Sequence, residues 1–326
     1  MKIDFVITWV NEKDPKWLKE KSQYQCCGDN NIGRYRDWDL LRYWFRAVEK
    51  YASWVNKIHF VTYGHLPIWL NTENKKINIV KHSDFIPQKY LPTFSSHPIE
   101  LNLHLIPNLA DKFVYFNDDV FLNSMVQKED FFINSFPCDS LQLTPIISER
   151  YNDIFPHILL NNNSIINEMF TKNELRKTIL LSSKYSMRQN IINFILSKRN
   201  NITGFKFFHL GQPFLRTSFI ELWESYPNLL DNTCKHKFRS IFDVSPYLIR
   251  DIQLMKGKFV PIGFNGRGQL FEAGKDNRKI ERALVSSDKM ICINDSYCDN
   301  EHFLIYKKEL NDILVKKFPD KSTFEI

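Results

Sequence analysis

Apolar and polar positions change period along the chain, and the first half reads as alternating strands and helices. Residues 3–10 form a β-branched and aromatic run closed by polar residues, the pattern of a buried strand. Over 37–51, Leu40, Leu41, Trp44, Phe45, Val48 and Tyr51 recur at helical spacing behind acidic residues, which predicts a helix. Residues 57–63 predict a strand ending before Gly64, and 76–80 a short third strand. A helix is expected over 99–106, stopped by Pro107, and then the strand KFVYF runs straight into Asn117-Asp118-Asp119. Such alternation predicts an α/β fold with a mainly parallel sheet. Beyond about residue 150, segments 161–170, 175–199, 218–230 and 299–318 have helical spacing, separated by aromatic, turn-rich stretches. The expected organisation is an α/β core over 1–150, with a mostly helical part over 151–326 folded back over it in one continuous unit.

Composition narrows the class. A chain of 326 residues that is 43% hydrophobic and 25% charged suits a globular protein with a sizeable core. The net charge of +7 is modest and distributed among short pairs near Lys75, Lys198 and Lys316, which read as solvated faces. With no long Lys/Arg block, it argues against a nucleic-acid partner. Six cysteines, Cys26 and Cys27 adjacent and the others scattered, show no CxxC spacing, so neither a zinc ribbon nor a disulfide scaffold is expected. No apolar run reaches the length of a membrane span, and the N-terminal one is too short for a signal peptide. A cytoplasmic location is expected, with at most a peripheral association with a membrane.

Several polar clusters can carry chemistry. Asp118 and Asp119 directly follow a hydrophobic strand, and ligands of open α/β sheets bind beyond the carboxyl ends of strands. Paired carboxylates there suit Mg²⁺ or Mn²⁺ against a pyrophosphate, although Asn-Asp is equally a common turn. Thr8, Trp9 and Asn11, with Asp14 after them, lie at another strand end and suit a nucleobase or ribose, or a turn with a packed Trp. Arg36, Asp37, Asp39 and Arg42 either orient an anionic ligand or cap and brace a helix. His209 lies among aromatics, as a structural residue or as a general base. His236 and Arg239, with Asp243 following, suit a phosphate or form a solvated helix face. Asn294 and Asp295 form a further short acidic group.

Taken in order, these segments resemble the Stealth family. Its blocks match Ile3 to Asn11 with Asp14, then Arg34 through Val120, then His209 to Ser240, and finally Cys292 to Asp295. The second block is the most specific, carrying Leu91-Pro92-Thr93-Phe94-Ser95-Ser96 and Phe116-Asn117-Asp118-Asp119-Val120. Trp38 stands where the family commonly has a polar residue and Leu40 where it has an acidic one. Tyr63-Gly64 replaces an Asp/Asn-Gly pair, and the Pro after His209 is displaced.

The resemblance implies a GT-A-like, Rossmann-like sheet of the nucleotide-sugar-transferase type. Its implied reaction moves a sugar 1-phosphate (hexose or N-acetylhexosamine) from a UDP-sugar to a hydroxyl of a capsular or cell-surface polysaccharide, releasing UMP. It implies catalytic roles for His209, Arg239 and Asp119, and a Mg²⁺ or Mn²⁺ site at Asp118, Asp119, Asn294 and Asp295. Thr8, Trp9, Asn11, Asp14, Arg36, Asp37, Asp39, Arg42, His236 and Asp243 would bind the donor. The implied partners are the UDP-sugar, the polysaccharide acceptor and, peripherally, inner-membrane capsule assembly machinery. The competing expectations are a metal-dependent glycosyltransferase releasing UDP and a carbohydrate-binding protein without turnover.

Overall fold

The computed structural model describes residues 1–24, 31–148, 150, 153–296 and 298–326. Cys26 and Cys27 lie outside the described residues. A five-stranded sheet forms the centre, in the order β3 (Ile77–Lys81), β2 (Ile58–Thr62), β1 (Asp4–Trp9), β4 (Lys112–Phe116), β8 (Gln212–Leu215). The first four are parallel, with Phe5 opposite Ile58 and Asp4 opposite Phe113. β8 closes the sheet antiparallel to β4, with Tyr115 opposite Gln212. The apolar runs of β1, β2 and β4 are buried on both faces, as continuous rather than alternating hydrophobic strands require.

Successive side chains of these strands feed opposite cores. Phe5, Ile7, Phe60 and Phe116 pack with Trp44, Phe45 and Val48 of the helix Leu41–Tyr51 and with Leu310 and Leu314 of the C-terminal helix Asn300–Lys317. Val6, Val61, Phe113 and Tyr115 pack on the other face against Ile166, Phe219 and Ile249, from three helices of the second half of the chain.

A second sheet takes over where the first ends. β5 (Val120–Leu122) starts directly after Asp119 and pairs antiparallel with β11 (Met290–Asn294), which lies parallel to β10 (Gly268–Glu272). The third sheet joins β6 (Phe132–Ile133), β7 (Phe136–Asp139) and β9 (Val260–Pro261). Asn117-Asp118-Asp119 is thus the crossover between two sheets, held by Val120 N–H donating to Asn117 C=O at 3.1 Å.

The strands expected in the first half are present with ends shifted by a residue or two, and the sheet is mainly parallel as expected. Helix expectations needed more correction. The segment 175–199 is not one helix: it divides into Lys172–Lys177 and Met187–Leu196, the second started by Ser186 Oγ accepting from Gln189 N–H. The segment 218–230 breaks at Tyr226, and Pro227 opens a new helix, because a Pro without an N–H is best placed in a first turn. The helix expected from residue 37 begins only at Leu41, since Asp39 sits at φ 58°. The helix expected over 99–106 begins at Ser96 on a Ser95 cap and is over by Leu101. In the expected helical part, β8 to β11 and the helices Tyr247–Met255 and Asn277–Leu284 were not foreseen.

Two buried imidazoles give the fold an acid-sensitive element. Burial pushes the pKa of His104 down to about 4, aided by nearby Arg216, and that of His82 down to about 3. Both leave Nδ1 without a partner, as neutral rings can. Each folded pKa lies below the unfolded value near 6.5, so the unfolded chain binds more protons at lower pH. Stability is therefore complete above about pH 6.5 and falls as pH drops toward 4, by about 1.4 kcal/mol per unit for each ring at most. Thermal melting against pH should show this decline, and His104→Gln should make it shallower.

Candidate active site

A cavity of about 540 Å³ opens at the carboxyl ends of β1 and β4, where the two sheets meet. Its floor is a pair formed across the chain. Asp119 follows β4, and His209 precedes β8, whose antiparallel pairing with β4 brings the two ends together. His209 Nε2 lies 3.0 and 3.2 Å from the Asp119 carboxylate oxygens, and Nδ1 lies 3.3 Å from the Tyr247 hydroxyl. Gly211 permits this approach, because a Cβ there would stand 2.5 Å from the Phe116 ring.

The electrostatics fit an imidazole leaning on a carboxylate. Burial alone would raise Asp119, yet His209 holds it below the usual carboxylate range. Burial likewise opposes a charged His209, and Asp119 outweighs it, so the imidazole becomes more basic. Asp118 faces the cleft and receives no hydrogen bond from another described residue. Although Asp118 stays open to the cleft, desolvation by the cleft walls, then the charges of Asp119 and Asp37, push its carboxyl up to about 7.

β5–β11 pairing delivers the C-terminal segment to the same place. Ile293 N–H donates to Asp119 C=O at 2.8 Å, and Cys292 Sγ lies 3.4 Å from Asp119 Oδ2. Asp119, His209 and Cys292 could together offer three metal ligands. Burial and the adjacent Asp119 push the Cys292 thiol well up, so with no cation bound it acts as an S–H donor to Asp119. Asp118, Asn294 and Asp295, with Asp37, Glu100 and Asn117, also line the cleft and offer the oxygen donors a hard divalent cation prefers, but Asp118 and Asp295 do not close into such a cluster with Asp119.

Arg239 reaches the cleft from a loop that docks on residues 93–96. Phe94 N–H donates to Lys237 C=O at 2.9 Å, Phe94 and Phe238 stack at 5.5 Å, and Arg239 Nη2 donates to Ser96 Oγ at 2.8 Å. Asp243 anchors this loop from below. Fully buried, it accepts from His97 Nδ1 (2.9 Å), His236 Nδ1 (2.6 Å) and Ser240 N–H (2.9 Å). Asp243→Ala should lower kcat/KM by ~10²-fold through displacement of Arg239, although Asp243 does not line the cleft. Asp243→Asn, which keeps one accepting oxygen, should restore part of that loss in steady-state kinetics.

Of the residues expected at the site, Thr8, Trp9, Arg36, Asp37, Asp118, Asp119, His209, Arg239, Asn294 and Asp295 line this one cavity. The structure gives the others different contacts. Asp14 caps the helix Pro15–Ser22 by accepting from Trp17 N–H at 2.7 Å. Asn11 N–H donates to His65 Nε2 at 2.8 Å, and its side chain caps a turn at Lys13. Asp39 and Arg42 pair with one another at 3.4 Å. His236 is held by Asp243, as above.

Arg36 lines the cleft with its guanidinium already engaged by Cys298 C=O (2.6 Å) and Asn300 Oδ1 (3.1 Å). Trp38, the departure from the family pattern, packs on Phe303 at 4.7 Å and donates Nε1–H to Asp295 at 3.1 Å. Leu40, the other departure, is buried in the core below. Sequence reading named Thr8 but gave no site role to Tyr247, Tyr115 or Glu100; the Tyr115 hydroxyl lies 3.0 Å from Thr8 Oγ1 and 2.9 Å from Glu100 Oε1. Tyr115 is the one with a readable signal, one residue from the end of the strand that carries the acids.

The chain is similar to known proteins along nearly its whole length. A family model described as Stealth protein CR1, conserved region 1, matches residues 1–26, and one described as Stealth protein CR2, conserved region 2, matches 34–138. The chain is 41% identical over 332 residues to the capsular polysaccharide phosphotransferase WcwK of Streptococcus pneumoniae, covering 99% of this chain and 98% of that one. It is 37% identical over 341 residues to the receptor polysaccharide phosphotransferase WefC of Streptococcus oralis, covering 100% and 99%. It is 34% identical over 329 residues to the exopolysaccharide phosphotransferase cps2G of Lactiplantibacillus plantarum, covering 99% and 96%. Among solved structures, the galactosyltransferase LgtC aligns over 96% of this chain and 95% of its own at TM-score 0.38 and 8% identity, too distant to carry an argument. Similarity to phosphotransferases along essentially the whole chain, with both conserved regions in order, means that this protein belongs to the Stealth family and is a transferase enzyme of that phosphotransferase class.

Proposed function

We propose that the protein transfers a sugar 1-phosphate from a UDP-sugar to a hydroxyl of a capsular or other cell-surface polysaccharide. The acceptor oxygen bonds to the β-phosphorus of the donor, the bond from that phosphorus to the UMP oxygen breaks, and a sugar–phosphate–sugar diester forms. The observation that carries this reading is the His209–Asp119 pair on the floor of a cleft that also receives Arg239. The polysaccharide acceptor rests on the names of the relatives.

Phosphoryl transfer needs mainly positioning and charge neutralisation. With Nε2–H directed at Asp119, His209 keeps a lone pair on Nδ1, beside the Tyr247 hydroxyl, to take the acceptor proton. Asp119 fixes that tautomer and stabilises the imidazolium, as an orienting carboxylate does. Arg239, held by Ser96, sets a fixed positive charge over the transferring phosphate. A divalent cation such as Mg²⁺ or Mn²⁺ would be held by Asp118 and Asp119, with Asn294 or Asp295, and would neutralise pyrophosphate charge. Thr8, Trp9 and Asp37 line the cleft where the nucleoside would lie.

The test is the nucleotide released. The purified chain is incubated with Mg²⁺, a panel of UDP-sugars and short acceptor oligosaccharides. UMP with a new phosphodiester supports the proposal. UDP would assign the protein to sugar transfer without phosphate and overturn it.

A further inference from the structure

The helix Met187–Leu196 has its polarity reversed. Its buried residues are Gln189 and Asn193, and Ser197 continues the same stripe one turn on. Asn193 is fully occupied there. Its Nδ2 donates to Leu141 C=O (2.9 Å) and Leu180 C=O (2.8 Å), while Oδ1 accepts from Leu143 N–H (2.9 Å) and Gln189 Nε2 (2.7 Å). The opposite side is apolar and open. Met187 is 80% exposed, Ile191 52%, Phe194 51% and Ile195 55%, with Leu181 beside them in sequence at 53%. A surface helix of a globular protein normally turns its apolar stripe inward. Rolling this helix to do so would strand the buried Asn193 bonds, so the fold holds the apolar stripe outward.

Basic residues flank that stripe along the chain. Residues 172–199 contain seven Lys or Arg and a single Glu, in a chain whose total excess is +7. The basic excess, scattered in short pairs when read linearly, is therefore largely local. Lys198 Nζ lies 4.1 Å from the Phe194 ring centre, and Arg176 Nη2 donates to Ser197 C=O at 3.0 Å. Lys172 Nζ reaches Asn200 Oδ1 at 3.3 Å, bringing the neighbouring basic helix alongside.

We propose that this face docks on an anionic lipid surface, with Met187, Ile191, Phe194 and Ile195 entering the headgroup boundary and the surrounding Lys and Arg side chains meeting lipid phosphates. Apolar side chains rimmed by one sign of charge are what interfacial attachment requires. The core of a protein–protein interface is instead depleted in Lys. No helix of the described residues is long and apolar enough to cross a membrane, so attachment here lies in the surface plane. The Leu143–Phe205 bridge links this platform to the segment leading to His209, so docking fixes the catalytic cleft relative to the lipid.

The inference does not depend on the reaction proposed above, and its test reads binding alone. The full chain is sedimented with phosphatidylcholine vesicles, with and without roughly one-third phosphatidylglycerol. It should bind only the anionic vesicles, and added salt should release it, because exposed charges are screened. Ile191→Ser with Phe194→Ser should weaken binding at least ~10-fold while leaving thermal melting unchanged, since both side chains are exposed. Should that variant fold poorly, Arg188→Glu with Lys198→Glu is expected to give the same loss. Absence of vesicle binding, equal binding to neutral vesicles, or full binding by a folded variant would overturn the proposal. So would a solution dimer that the serine variant converts to monomers, which would assign the face to a second copy of the chain.

Discussion

His209→Ala should lower kcat by ~10²–10⁴-fold with little change in donor KM, the range for loss of a positioned general base. The expectation rests on the placement of His209 in the cleft, with Nε2 at 3.0 Å from Asp119 and Nδ1 at 3.3 Å from the Tyr247 hydroxyl. Asp119→Asn should be at least as damaging, because it removes the group that orients the ring and one of the oxygens facing the cleft. Residues that act as a unit do not lose rate additively. His209→Ala placed on the Asp119→Asn background should therefore cost less than ~10-fold further. A single-variant loss under tenfold would remove His209 from the chemistry. A fully multiplicative double variant would mean that Asp119 and His209 act separately. Steady-state kinetics with a fixed donor and acceptor decides between these outcomes.

Arg250→Met should destabilise the fold by about 3–5 kcal/mol, the cost of breaking a buried ion pair by removing one partner. Arg250 is 1% exposed and grips Asp139 with two bonds, Nε to Oδ2 and Nη2 to Oδ1, both 2.8 Å. Its Nη2 also lies 3.2 Å from Ser140 C=O, and Gln212 Nε2 donates to the same Asp139 carboxylate at 3.0 Å. Burial pushes neighbouring Asp251 up to about 7 despite Arg250, and removing the arginine takes from buried Asp139 the cation that grips it directly. Because Gln212 opens β8 three residues after His209, the same substitution should lower activity at temperatures below the melting transition. Asp139→Asn with Arg250→Met should recover part of the lost stability, since the unpaired charge is then gone. Chemical denaturation of the single and double variants measures both effects.

Strand residues in the first half were readable because their apolar runs are local and buried on both faces. The position of Asp118-Asp119 at a strand end followed from the same run. Helix ends were less readable where one polar side chain decides them, as at Ser186 and Ser95, or where a single backbone angle does, as at Asp39. Strands β8 and β11 carry weak local signals, four residues among aromatics and five between polar stretches, and exist because β4 and β5 offer them edges. The candidate residues divided along the same line. Asp14 and Asp243 have the composition of ligand-binding groups and the geometry of structural anchors.

The linear order of residues was enough to give the α/β class, the acid pair beyond the central strand and the family resemblance, because each is carried by short runs of neighbouring residues. Only the tertiary structure joined His209 to Asp119 across 90 positions, and Arg36 and Trp38 to the segment around Asp295. It also decided which face of Met187–Leu196 meets solvent. Those choices depend on which strand edge is free and which buried donor still needs a partner, and these are properties of the packed chain, not of any local stretch.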